Sequence, residues 1–185
     1  MAPSSRTMGR MATAWRNRPG GTTRYHVSMA DHETWLRRAV DLALENVRTS
    51  AGGPFGAVVV KHGHMVAMGV NRVVSSCDPT SHAEIEAIRA ACRALGSFQL
   101  DECTMYSSCE PCPMCLGALY WARPAAVWFA STRDDASAVG FDDSLVYEQL
   151  ALPVSQRRIP MHLVRIDEYL APFHAWDQAG NKVPY

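Results

Sequence analysis

The chain has 185 residues, 48% of them hydrophobic, which suits one domain able to bury a core without disulfide staples. No apolar run approaches the roughly 18 residues needed to cross a bilayer, which excludes a membrane-spanning protein and leaves a soluble one. The 18 basic and 18 acidic residues conceal an asymmetry, because residues 1–28 hold Arg6, Arg10, Arg16, Arg18 and Arg24 and no acid, leaving 13 basic against 18 acidic residues and a net of −5 for the rest. Phosphate contacts carry much of the affinity for nucleic acid, so an acidic body disfavours that partner and favours a small molecule.

Residues 1–28 are rich in Arg, Ser, Thr and Gly without a sustained apolar period, which predicts a disordered extension and a single domain over residues 29–185. Trp35, Leu36, Ala39, Val40, Ala43, Leu44 and Val47 then recur at helical spacing, predicting a helix capped by Asp31 and running to about Arg48. Gly52-Gly53-Pro54 ends it. Phe55 to Lys61 and His64 to Val70 are β-rich runs around His62-Gly63, a tight-turn signal, so they form an antiparallel hairpin with Asn71 at its far end. Residues 82–95 read as a helix, Thr104 to Ser107 as a strand, Cys112 to Ala122 as a helix and Ala125 to Ala130 as a buried strand. Met161 to Ile166 is a candidate further strand, and Tyr169 to Trp176 a short helix. Strands joined through helices are parallel with right-handed crossovers, so the expected fold is α/β: a three-layer α/β/α sandwich with a mixed sheet, its antiparallel hairpin preceding a parallel portion. Trp35, Trp128 and Phe129 fit core positions, and His26, His32, His62, His64, His162 and His174 fit surface or packing roles.

The chemistry is concentrated in two short stretches. Cys109, Cys112 and Cys115 fall within seven residues, whereas Cys77, Cys92 and Cys103 are scattered. Such crowding reads as metal binding in a reducing compartment, the cytoplasm, and not as a disulfide framework. Pro113 suits the first position of a helix, which puts Cys112 at its cap and Cys115 one turn on, so both sulfurs can face one ion near unpaired amides that favour thiolates. His82 stands near the mouth of its own helix, opposite the cysteine helix across the sheet edge. His82, Cys112 and Cys115 make three zinc ligands, one short of a closed site, and a catalytic Zn2+ keeps that fourth place for water or hydroxide. The alternative is a closed structural site completed by Cys109. Glu84 likewise has two readings: with Ser81 it matches a capping box, and beside His82 it stands where a proton shuttle to the metal-bound water would sit, the reading the metal ligands favour.

His82-Ala83-Glu84 with Pro111-Cys112-Pro113-Met114-Cys115 matches H-x-E…P-C-x-x-C, a known zinc-deaminase signature. Both stretches resemble the cytidine deaminase superfamily. The run from Cys115 through Trp121 to Pro124, Gly140-Phe141-Asp142-Asp143-Ser144 and the closing Pro172-Phe173-His174-Ala175-Trp176…Asn181-Lys182-Val183-Pro184-Tyr185 resemble bacterial-type guanine deaminases over residues 30–185. That resemblance implies a cytidine-deaminase-like fold and zinc-dependent conversion of guanine to xanthine and ammonia. It also implies a purine site formed by Asn71, the Ala83 backbone, Phe55 and Trp121, with Glu84 and Asp143 moving protons. A homodimer is implied as well, with exchanged C-terminal segments in which residues from about 168 to 185 act as a lid and Tyr185 closes over the partner's site. The rival readings are a deaminase of another base or of a guanine-like triazine, a tRNA adenosine deaminase, which should carry a basic face, and a non-catalytic zinc-binding module.

Overall fold

A computed structural model describes residues 28–183. The arginine-rich stretch 1–27 and Tyr185 therefore lie outside the described residues. The first helix, α1 (Met29–Arg48), starts at Ser28. The Ser28 hydroxyl accepts from the Asp31 amide at 3.2 Å while the Asp31 carboxylate accepts from the Ser28 amide at 3.1 Å, a reciprocal capping box. The cap is therefore Ser28 and not Asp31, because Asp31 occupies the third helical position, where a carboxylate completes the box.

Strands β1 (Gly56–Lys61) and β2 (His64–Val70) form the antiparallel hairpin, its turn closed by His62 at φ 51° and Gly63 at φ 77°. Two consecutive positive φ angles are what a two-residue hairpin turn with the natural strand twist requires. After a short helix α2 (Val73–Ser76) come α3 (Ala83–Leu95), β3 (Cys103–Cys109), α4 (Pro113–Ala122) and β4 (Ala126–Ser131). The chain continues through α5 (Arg133–Ser137), α6 (Ser144–Ala151), a 3-10 turn (Val154–Gln156) and α7 (Ala171–Gln178).

The sheet order is β2-β1-β3-β4, with β1 antiparallel to both neighbours and β3 parallel to β4. The mixed sheet is as expected, its parallel portion being the β3–β4 pair. Alternation along the strands sends Ala57, Val59 and Met105 to one face, where they pack with Ala83, Ala87 and Ala91 of α3 and Leu119 and Ala122 of α4. Val58, Val60 and Tyr106 point to the other face, against Ala39, Trp35 and Leu36 of α1 and against Trp128. Three layers result. His32 packs rather than ligates: it is buried, stacks on Trp128 at 3.9 Å between centroids, and its Nδ1 lies 2.8 Å from the Tyr106 hydroxyl.

Two expectations need correction. The strand expected to be buried at Ala125 to Ala130 forms as β4 but has no buried residue, and Phe129 is not a core residue but 45% exposed, because β4 is an edge strand among the described strands and Phe129 lies on the face opposite Trp128. Met161 to Ile166 does not form a strand; its β-rich pattern finds no ladder partner among the described residues, and every residue from 158 to 178 is exposed.

Close backbone approach fixes α3 on the sheet. A Cβ added at Gly69 would come 2.2 Å from the Ala83 carbonyl oxygen and 2.5 Å from the Ala87 amide nitrogen, both backbone atoms unable to yield cheaply. Gly69→Ala should therefore cost at least about 2 kcal/mol, lowering the melting temperature by about 4 °C or more, as read by calorimetry. An unchanged melting temperature would show that α3 is not held by this contact.

Candidate metal centre and active site

Helices α3 and α4 lie side by side on one face of the sheet and share one core, so their N-termini open at the same end; they do not oppose each other across a sheet edge. The loop before α3 is tied by Asp78, whose carboxylate accepts from the Thr80 amide at 2.8 Å, the Thr80 hydroxyl at 2.7 Å and the Ser81 hydroxyl at 3.1 Å. Ser81 is thereby engaged, and His82 itself is the N-cap residue of α3, with extended backbone. On α4 Cys112 is the N-cap residue and Pro113 sits in the first turn, where its missing amide proton costs nothing.

This geometry brings His82, Cys112 and Cys115 together, with all ligand atoms within 4.8 Å of one another. His82 Nδ1 lies 3.5 Å from Cys112 Sγ and 3.6 Å from Cys115 Sγ. A tetrahedral zinc with Zn–S about 2.3 Å and Zn–N about 2.1 Å separates sulfur from nitrogen by about 3.6 Å, so the spacing fits the ion without rearrangement. The donor chemistry agrees. A hydrogen bond from the Cys115 thiol, with the nearby His82 ring helping, holds the Cys112 thiol down to about 4, while the bond to Cys112 and burial push Cys115 up. His82 is raised by its bond to Cys112. One thiolate thus shares protons with its neighbours, and a dication at the centre takes the place of those protons. Cys109 does not close the site: its Sγ faces the Thr132 carbonyl oxygen at 3.5 Å, and burial raises its pKa.

Glu84 is 6% exposed and turned to the centre, accepting from the Ser107 hydroxyl at 3.1 Å and from Cys115 Sγ at 3.5 Å. It does not form the capping box with Ser81, whose amide donates to the Asp78 carbonyl, and burial raises its pKa. Ser107, which orients Glu84, was missed by the sequence reading, yet a signal was present: strand alternation puts Ser107 on the same face as Met105, under α3.

Asn71, just past β2, is 7% exposed, and its Oδ1 accepts from the amides of Gly53 and Val73 at 3.4 and 3.3 Å. Phe55 meets Phe141 edge-on at 4.9 Å between centroids, which brings the loop before α6 against the Gly53–Phe55 segment. Ala83 is fully buried in the first turn of α3. Asp143, at the start of α6, is partly buried; burial raises its pKa, with the charge of Cys112 adding to the rise and Arg133 opposing it. No sustained hydrophobic period places Arg133 and Phe141 on an element; the Thr132–Asp135 capping box is the local sign of α5. Trp121 is not brought to the triad of its own chain: six residues beyond Cys115 it stands about 9 Å further along α4, 58% exposed.

The region spanning residues 29–131 matches the cytidine and deoxycytidylate deaminase zinc-binding region, more than half of the chain. The chain belongs to the cytidine and deoxycytidylate deaminase family. This deaminase is 55% identical to the guanine deaminase of Bacillus subtilis over 155 residues, covering 84% of the chain and 99% of that relative. It also superposes on the X-ray structure of a guanine deaminase from Bacillus subtilis with a TM-score of 0.82, at 55% identity over 83% of the chain and 98% of that structure. The tRNA-specific adenosine deaminase of Aquifex aeolicus is 42% identical over 78 residues, only 42% of the chain and 52% of that relative. The fold is that of these deaminases, and zinc is the family's metal.

Cys112→Ser and His82→Ala should each lower the zinc-to-protein ratio measured by plasma mass spectrometry to well under half of wild type, whereas Cys109→Ser should leave it unchanged. Loss of zinc in Cys109→Ser would make Cys109 a ligand and the site a closed one.

Proposed function

We propose that this protein is a zinc-dependent guanine deaminase, converting guanine and water to xanthine and ammonia in purine catabolism and salvage. The observation that carries the substrate is the likeness to Bacillus subtilis guanine deaminase across 99% of that relative. The likeness to the tRNA deaminase stops at about half of each chain, and the −5 body offers no basic face for an anticodon stem.

His82, Cys112 and Cys115 hold the zinc, which supplies hydroxide near neutral pH. Glu84 takes the water proton and delivers it to the ring nitrogen beside the amino-bearing carbon. That carbon gains a C–O bond, its C–N bond breaks, and the departing amine leaves as ammonia with a second proton carried by Glu84 or Asp143. Burial suits Glu84 to both acts, since it raises the carboxyl above its ordinary value and makes it a better proton acceptor than an exposed glutamate. Ser107 holds one carboxylate oxygen and thereby aims the other. Asn71, the Ala83 backbone and the Phe55 ring bind the base.

The working form is a homodimer with exchanged C-terminal segments. Ile159, Met161, Leu163, Val164, Ile166 and Phe173 are between 56% and 82% exposed, too much contiguous apolar surface for a segment that stays in water. The edge of β4 and the exposed α4 side chains Leu116, Tyr120 and Trp121 offer the matching cover on a second copy, and Trp121 would then stand at the subunit interface. Residues 168–185 form the lid, with Tyr185 closing the partner's site and excluding water. The arginine-rich stretch before Ser28 is dispensable for catalysis in this reading. No helix of the described residues is long and apolar enough to cross a membrane, and all six cysteines are free thiols, which suits the cytoplasm.

Ammonia release from guanine, adenine, cytosine, guanosine and a triazine amine in parallel should favour guanine; turnover of another base with none of guanine would refute the assignment. Glu84→Gln should keep zinc and lose about 10²–10⁴ in turnover, and near-normal rates would remove Glu84 from the proton path. Deleting residues 158–185 should give a monomer by light scattering with turnover largely lost, while deleting 1–27, which spares the Ser28 cap, should leave both intact. A truncated protein that remains a fully active dimer would refute the exchange.

A further inference from the structure

Asn46 lies on the last turns of α1, well away from the metal ligands in sequence, yet it is a polar side chain only 4% exposed. Its amide nitrogen donates two hydrogen bonds, to the Gly53 carbonyl at 2.9 Å and to the Asn71 carbonyl at 2.9 Å. Both NH2 protons are used, and both acceptors belong to segments that form the base-binding wall. The Gly53 amide in turn donates to Asn71 Oδ1, so α1, the glycine loop and Asn71 form one closed network. No side chain fits between them: a Cβ at Gly52 would stand 2.1 Å from the Asn71 carbonyl oxygen and 2.8 Å from Asn46 Nδ2.

We infer that Asn46 is a positioning residue for purine binding, acting through Asn71. Resting on the guanine deaminase reading, the inference adds a residue outside the pocket that fixes how the base is held. A buried amide that ties two carbonyls removes freedom from the backbone carrying Asn71. Asn71 Oδ1 already accepts two backbone amides, so its NH2 is the pole left for the ligand, and the feature it reads on the base is a hydrogen-bond acceptor. Only a side chain with two donors on one nitrogen, at the length of asparagine, completes the bridge from α1. Glu84 and the triad are anchored by α3, α4 and β3, so loss of Asn46 loosens binding of the base without touching proton transfer.

The experiment is a double-mutant cycle on the full zinc-loaded protein, reading guanine KM, kcat and melting temperature for wild type, Asn46→Ala, Asn71→Ala and the pair. Asn46→Ala should raise KM by about tenfold, the worth of one or two neutral hydrogen bonds, with kcat within about threefold of wild type. In the Asn71→Ala background the same change should raise KM no further, although the melting temperature falls in both backgrounds. Asn46→Ser keeps one donor and should give an intermediate KM; it takes the place of Asn46→Ala throughout the cycle should the alanine variant not fold. Unchanged KM, an equal multiplicative rise in both backgrounds, or a loss confined to kcat would each overturn the inference while leaving guanine deamination standing. A wild-type protein inert on guanine would overturn the functional reading and this inference with it.

Discussion

Two cysteine sulfurs and one imidazole nitrogen must be held at the separation that a single dication demands, and the rest of the architecture serves that requirement. Neither α3 nor α4 could meet it alone. The first delivers His82 from its N-cap and the second Cys112 from its N-cap and Cys115 from its first turn, where unpaired amides and the helix dipole favour negative charge. The electrostatic consequence is visible in the sulfur pair, with Cys112 held near 4 by its neighbours. The separation itself depends on how closely the two helices pack on the sheet, and there small residues decide. Gly69 lets the α3 backbone touch β2, and Ala83, Ala87 and Ala91 keep the helix low against Ala57 and Val59.

The buried carboxylate beside the metal centre is placed by the same packing. Glu84 follows His82 by two residues, so the helix turn that aims the imidazole at the centre also buries the carboxylate beside it. Ser107 reaches it from β3, which joins the sheet register to the chemistry: a one-residue slip of β3 would turn Ser107 to the α1 face and leave Glu84 without its partner. The Asn71 network is organised separately, from the C-terminal end of α1 and the loop that follows, so it and Glu84 rest on different structural supports.

Most of this was legible in the sequence where the signal was local. The helical period from Trp35 to Val47, the His62-Gly63 turn and Pro113 at a helix start each reflect backbone physics that tertiary contacts did not override. The ligand triad was legible because its spacing is imposed by the ion. What was lost depended on partners. Ser28 took the cap from Asp31 because two polar residues three positions apart offered competing starts. Phe129 reads as core by composition, but β4 has only one neighbour strand. Residues 161–166 have a strand's pattern and no strand, since no strand pairs with them among the described residues. Asn46 gave no sign in the sequence, because a lone asparagine near a helix end has many roles and its two carbonyl partners meet it only in the packed loop.

The central claim is a centre of two sulfurs and one imidazole nitrogen with the fourth place left to a light atom. X-ray absorption at the zinc edge of the purified protein tests it most directly. The account predicts two sulfur scatterers at about 2.3 Å and two nitrogen or oxygen scatterers at about 2.0–2.1 Å. A first shell with three sulfurs would bring Cys109 into the site and contradict the account.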